Sequence, residues 1–319
     1  MLTTLPDSQR YLIVPEGQPV PQGLDEDVSI LQEPLQNIYL VASGVMDMFA
    51  SLDAVGQIRF SGQKQENWYI QTAKDAMAAG DMIYAGKYSK PDYELLVSEG
   101  CDLAIENRMI THSPEVVEML QSFDIPVMIE YSSYEQHPLG KVEWVKFFGA
   151  LTGKEAKAEE AFAEQTEILE EVESGEKTGK TIAFFYVTSN GLIQVRQSTD
   201  YIPKLIELAG GRYIFENLED SGSGRSTLNM QVEDFYAGAK DADILIYNSS
   251  IDGGVTTVDE LIGKCNILKD FKAVQEGQVY CTTNDMYQQS MAVGYLLQDM
   301  HTVLTDDDTA KLRYLFLLQ

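Results

Sequence analysis

Histidine and cysteine are scarce in this chain, three of each in 319 residues, and long apolar runs are missing. A zinc or manganese site built from about three imidazoles and a carboxylate is not expected from His112, His137 and His301, because His301 falls in the last predicted helix. Cys101, Cys265 and Cys281 show no CxxC spacing; Cys101 and Cys281 sit in or beside apolar strands, as buried free thiols do, and say little about compartment. No run of 18 apolar residues exists, so no segment is expected to span a membrane. The start, Met1-Leu2-Thr3-Thr4, lacks the basic and apolar regions of a signal peptide, which leaves a cytoplasmic protein or one whose export signal has been removed. Positive charge is also short: 23 basic against 50 acidic residues give −27, which repels phosphate backbones and anionic lipid heads and argues against nucleic acid as a partner. The same acidity also serves solubility alone.

Catalytic signatures are absent as well. No HExxH, paired CxxC or strand-following GxGxxG occurs, and Gly222-Ser-Gly-Arg-Ser226 has the wrong order for a nucleophile elbow and no strand before it. The same loop lacks the Gly-Lys-Ser/Thr ending of a phosphate-binding loop. The expectation is a binding protein with no catalytic residues, no resident metal and no cofactor, rather than an enzyme.

What the chain does have is helical periodicity at its middle. Trp144, Phe148, Leu151, Ala158, Phe162, Leu169 and Val172 recur every three or four residues, interrupted by Glu155 and Gln165. They predict a helix over Gly140–Leu151, a break at Thr152-Gly153, and a second helix over Lys154–Ser174 of roughly 30 Å. On either side, short apolar runs end in turns and alternate with helical stretches, the pattern of a parallel sheet covered on both faces. The first set is Asn37–Ala42, Gln57–Phe60, Met82–Ala85, Leu103–Ile105 and Val127–Ile129; the second is Lys180–Val187, Leu192–Arg196, Tyr213–Phe215, Asp243–Tyr247 and Val279–Cys281. The predicted fold is α/β, two Rossmann-like lobes with mainly parallel sheets joined by one long helix, with the ligand cleft between them. Its divisions are 1–36 (an N-terminal extension or hairpin remnant around Tyr11–Val14), 37–140 (first lobe), 141–175 (interlobe helix region) and 176–319 (second lobe).

Ligands of such sheets bind beyond the carboxyl ends of the strands, so the residues there are the binding candidates. Trp68, Tyr69, Tyr88, Tyr131, Tyr134 and Tyr287 offer ring faces and phenols, though a share of them must be core. Arg108, Arg196 and Arg225 can fork onto anionic oxygens; Lys87, Asn190, Asn248 and Met286 complete the set. His137 is the one candidate axial haem ligand, and also reads as a histidine making a structural hydrogen bond at the start of a helix.

Three segments resemble the two-lobed substrate-binding proteins of ABC importers, in the branch that handles iron siderophores, haem and cobalamin. One is Leu139-Gly140 through Gly149, Gly153-Lys-Glu and Ala158. The others are Pro91-Asp-Tyr-Glu94 leading to Asp102-Leu-Ala-Ile, and Met230-Gln-Val-Glu233 leading to Ala242-Asp243-Ile-Leu-Ile. The resemblance covers about Leu35 to Leu304, and departs from the family where Gly100-Cys101-Asp102 replaces the usual Lys-Pro-Asp. It implies a monomeric extracytoplasmic protein, periplasmic or lipid-anchored, that captures a small-molecule metal chelate or tetrapyrrole. It also implies that Glu94 and Glu233 dock on arginines of a membrane permease; a glutamate early in a helix is equally a favourable partner of the helix dipole. A ligand sensor or surface binding protein of the same fold without a permease is the alternative.

Overall fold

The computed structural model describes residues 1–5, 7–218, 226–307 and 309–319. They form two compact units. One comprises Met1–Ser133, Val142–Ala163 and Gln288–Met291; the other comprises Tyr134–Lys141, Glu164–Tyr287 and Ala292–Gln319.

In the first unit, β1 (Leu2–Thr4), β2 (Arg10–Val14) and β3 (Val28–Gln32) make a small sheet, antiparallel between β1 and β2 and parallel between β2 and β3. The hairpin suggested by Tyr11–Val14 is there with a third strand added, and buried Tyr11 donates its hydroxyl to the Val127 carbonyl at 2.7 Å. The main sheet contains β4 (Ile38–Leu40), β5 (Ile58–Ser61), β6 (Ile83–Tyr84), β9 (Leu103–Glu106) and β10 (Val127–Ile129), in the order β10-β9-β4-β5-β6 and parallel throughout. Between β6 and β9 lies a two-residue hairpin, β7 (Gly86–Lys87) and β8 (Lys90–Pro91). Ile38, Tyr39 and Leu40 are all buried, as expected of a strand covered on both faces.

In the second unit the sheet is mixed. It contains β11 (Thr181–Val187), β12 (Ile193–Arg196), β13 (Arg212–Tyr213), β14 (Thr227–Met230), β15 (Ile244–Tyr247), β16 (Val279–Thr282) and β17 (Leu315–Leu317). Its path is β14-β12-β11-β15-β16-β17, with β13 also on β11. Strands β11, β13, β15 and β16 run parallel, while β12, β14 and β17 are antiparallel to their neighbours. β13 takes the first residues of β11 and β12 the last, so one edge of β11 serves two partners.

The predicted central helices appear as Pro138–Thr152 and Glu155–Glu173. Gly153 closes the first with φ +66°, which lets the Lys154 N–H turn back to the Gly149 carbonyl at 2.7 Å. Gly149 is needed for packing: a Cβ there would lie 2.5 Å from the Ala158 Cβ. Phe148, Leu151, Ala158, Leu169 and Val172 are buried, and the polar interruption Gln165 is buried too, its Oε1 accepting the Gly294 N–H at 2.9 Å.

The two acidic-helix segments share one device. Asp102 accepts the N–H groups of Gln36 and Asn37, both at 2.9 Å, just before β4. Asp243 accepts the Thr181 N–H at 2.7 Å and its hydroxyl at 2.8 Å, at the start of β11. In each unit a helix, an aspartate and a strand thereby fix where the first parallel strand begins.

Candidate functional site

The strand ends of the second unit converge on Arg196, the last residue of β12 and only 8% exposed. Its Nη1 donates to Asp200 Oδ2 at 3.4 Å and its Nη2 to the Tyr287 hydroxyl. The Asn248 side chain, at the end of β15, donates to the same hydroxyl at 2.7 Å. The Arg196 backbone N–H donates to the Tyr213 hydroxyl at 3.0 Å, and that hydroxyl donates back to the Arg196 carbonyl at 2.9 Å. Asp200 in turn caps the helix Tyr201–Leu208 by accepting the Ile202 N–H at 3.0 Å. Burial works against the guanidinium charge, but Tyr287 and Asp200 outweigh it, so the Arg196 pKa stands above its ordinary value and the charge is permanent. Burial raises the Tyr287 phenol even though Arg196 pulls it down, which keeps it protonated at neutral pH.

The arginine expected to fork onto a ligand therefore forks onto its own unit, because burial demands a partner for every charge. Asn248 and Tyr287 join the same network. What the cluster offers outward is the half-buried Tyr287 side chain, held by two donors and by a cation 5.4 Å from its ring centre.

Beside it runs a groove of about 620 Å³, lined among others by His137, Ser198, Asp200, Lys204, Arg212 and Tyr213. Its cations are matched within the unit, Lys204 to Glu207 at 2.8 Å and Arg212 to Glu216 at 3.4 Å. His137 is exposed, and its Nδ1 accepts the Leu139 N–H at 3.2 Å at the start of the helix Pro138–Thr152. That bond matches the structural alternative read for a histidine at the start of a helix.

The remaining candidates divide by burial. Trp68 is 1% exposed, its Nε1 bonded to Ser61 Oγ at 3.0 Å, and Met286 is 6% exposed; both are core rather than ligand surface. Tyr88 and Tyr131 are half-buried against the core of the first unit, and Arg108 is half-buried in the 3-10 turn Arg108–His112. Tyr69, Tyr134, Lys87 and Asn190 are exposed, Asn190 accepting the Thr188 hydroxyl at 2.6 Å in its turn. Arg225 lies outside the described residues. Glu94 and Glu233 are exposed in the first turns of Tyr93–Ser98 and Val232–Ala239. Buried acids escaped sequence reasoning, Glu130, Asp200, Asp299 and, with no exposure at all, Glu106 at the end of β9, whose only signal was an acidic residue closing the apolar run Leu-Ala-Ile. Among the described residues no group of three or more His, Cys, Asp or Glu could hold a metal ion, and no helix is long and apolar enough to cross a membrane.

Comparison with known proteins places this geometry. An uncharacterised lipoprotein of Methanocaldococcus jannaschii is 25% identical over 314 residues, covering 93% of this chain and 72% of the relative. The periplasmic heme-binding protein HutB of Vibrio cholerae superposes with a TM-score of 0.65 at 15% identity, over 84% of this chain and 98% of that one. An ABC-type Fe3+-hydroxamate transport protein of Saccharomonospora viridis gives 0.64 at 17% identity, over 85% and 93%. At such identities the structural likeness speaks for the fold. The pattern of the periplasmic binding protein family matches residues 43–286, most of the chain, and the proteins similar in fold are solute-binding proteins, not enzymes; this chain belongs to the periplasmic binding protein family.

Proposed function

We propose that the chain is the extracytoplasmic solute-binding component of an ABC importer. It captures an iron chelate, haem or a cobalamin-like ligand at the carboxyl ends of its parallel strands and delivers it to a membrane permease. The observation that carries this reading is the family match over residues 43–286 on two α/β units, with similar structures named for haem and for Fe3+-hydroxamate. The named lipoprotein relative supports a lipid anchor holding the protein outside the cytoplasmic membrane. In the second unit, Tyr134 and Tyr287 offer ring faces while the nearby cations are mostly neutralised from within, which suits a large planar or multi-ring chelate better than a small free anion.

Intrinsic fluorescence and thermal shift against ferric siderophores, haem, cobalamin and free ferric and zinc ions test the reading. One chelate is expected to bind and to raise the unfolding midpoint, since a ligand at 100 times its Kd adds about 2.7 kcal/mol. Folded protein that responds to none of the chelates overturns it.

A further inference from the structure

Among its described residues, the first unit offers one buried carboxyl group, Glu106, no hydrogen-bond partner. Glu106 closes β9, its side chain is 0% exposed, and among the described residues neither Oε1 nor Oε2 has a hydrogen-bond partner. Buried polar atoms are almost always paired, so a carboxyl left with both oxygens unmatched calls for a reason.

Strand alternation sets its surroundings. Glu106 pairs with Ile129 of β10 and stands two residues beyond Ala104, on the face that packs Tyr39, Ile110, Leu120 and Val127. Tyr39 from β4 and Tyr93 from the helix Tyr93–Ser98 are the titratable groups that feel its charge; Glu115, at the start of Pro114–Ser122, acts on Tyr93 in turn. Tyr88 and Tyr131 are the other phenols packed on this core. None of these is a cation. Burial alone pushes the Glu106 carboxyl from 4.5 up to about 8.

Its place in the sheet gives that proton leverage. The Glu106 carbonyl receives the Glu130 N–H at 2.9 Å, and the Ile105 carbonyl receives the N–H groups of Val41 at 2.9 Å and Ala42 at 3.3 Å. The backbone around Glu106 thus ties together the carboxyl ends of β4, β9 and β10, the edge from which parallel sheets present their ligand loops.

We propose that Glu106 is a proton-binding site that controls this edge of the first unit: the edge packs around the protonated acid, and ionisation requires it to open until water reaches the carboxylate. The sign follows from linkage. An acid whose folded pKa is raised is held in full only below its unfolded value, near 4.5; the closed edge loses stability as pH rises towards about 8 and levels off beyond. Between pH 5.5 and pH 8 the opening equilibrium increases roughly 100-fold. The inference is independent of which ligand the protein carries.

Amide hydrogen exchange on the whole chain at pH 5.5 and pH 8, corrected for intrinsic rates, tests it against Glu106→Gln. In the wild type, residues 103–112 and 127–133 are expected to lose on the order of 100-fold in protection relative to β11 and β15 of the second unit. Glu106→Gln should remove that loss. Glu106→Leu, which takes away the unpartnered polar atoms altogether, should remove it too and guards against an amide that disturbs the fold. A wild type with no selective loss, or the same loss in both variants, overturns the proposal.

Discussion

Asp243 shows how one side chain sets a strand. It accepts two hydrogen bonds from Thr181 and a third from Lys272 Nζ at 2.6 Å. Burial tends to raise its pKa, but Lys272 and Thr181 outweigh it and hold the carboxyl below the ordinary range. A depressed acid contributes its stability above its unfolded pKa and loses it as pH falls through the folded one. Asp243→Asn should therefore cost about 1–3 kcal/mol at pH 7 by urea denaturation, and the gap to wild type should close below about pH 4. A gap that stays constant into acid would mean that the carboxylate charge plays no part. At this scale the sequence was least legible. Asp102 and Asp243 stood out through the family resemblance, yet their hydrogen bonds span more than sixty residues of chain, as in Thr181 to Asp243, a separation of 62. Trp68 and Arg196 carried the right chemistry for a ligand, but whether a side chain faces solvent or core is decided by tertiary packing, which spacing does not encode.

Elements were easier to read. The runs of β11 and β15, nearly all apolar and nearly all buried, announced themselves, as did the paired central helices with glycine at their break. Strands β3, β14 and β17 were missed because they are edge strands with mixed burial, and a half-wet strand of three to five residues resembles a loop. The helix break itself makes a quantitative claim. Since a Cβ on Gly149 would lie 2.5 Å from the Ala158 Cβ, Gly149→Ala forces two backbones apart and should cost about 1–3 kcal/mol. Ala158→Gly costs about 1 kcal/mol by itself through helix propensity. The double variant should be more stable than the sum of the two losses, because removing either Cβ relieves the same clash. Strict additivity in thermal or urea denaturation would show that the glycine serves something other than this close approach.

On the scale of the whole molecule, the repeated order of helix, aspartate and strand is the feature with functional reach. In both units an exposed glutamate stands in the first turn of a short helix, Glu94 before Asp102 and Glu233 before Asp243, and the aspartate fixes the strand that follows. Glu94 is thereby carried on a capped helix, with Asp92 accepting the Leu95 N–H at 3.1 Å, rather than on a free loop. A carboxylate on a rigid mount can take an arginine fork in both of its bonds, which favours register over raw affinity. Under the proposed role, a charge of −27 favours cationic partners, and two such mounts would offer a permease two points of reference. Replacing Glu94 and Glu233 together by Ala should abolish uptake in a reconstituted transporter while leaving ligand affinity and unfolding midpoint unchanged, because neither side chain lies in the groove or the Arg196 cluster. Each single variant should retain partial uptake, and raising the salt concentration should weaken docking of the wild type as exposed charge pairs are screened. Unchanged uptake in the double variant would reduce both glutamates to partners of their own helix dipoles and take the permease assignment with them.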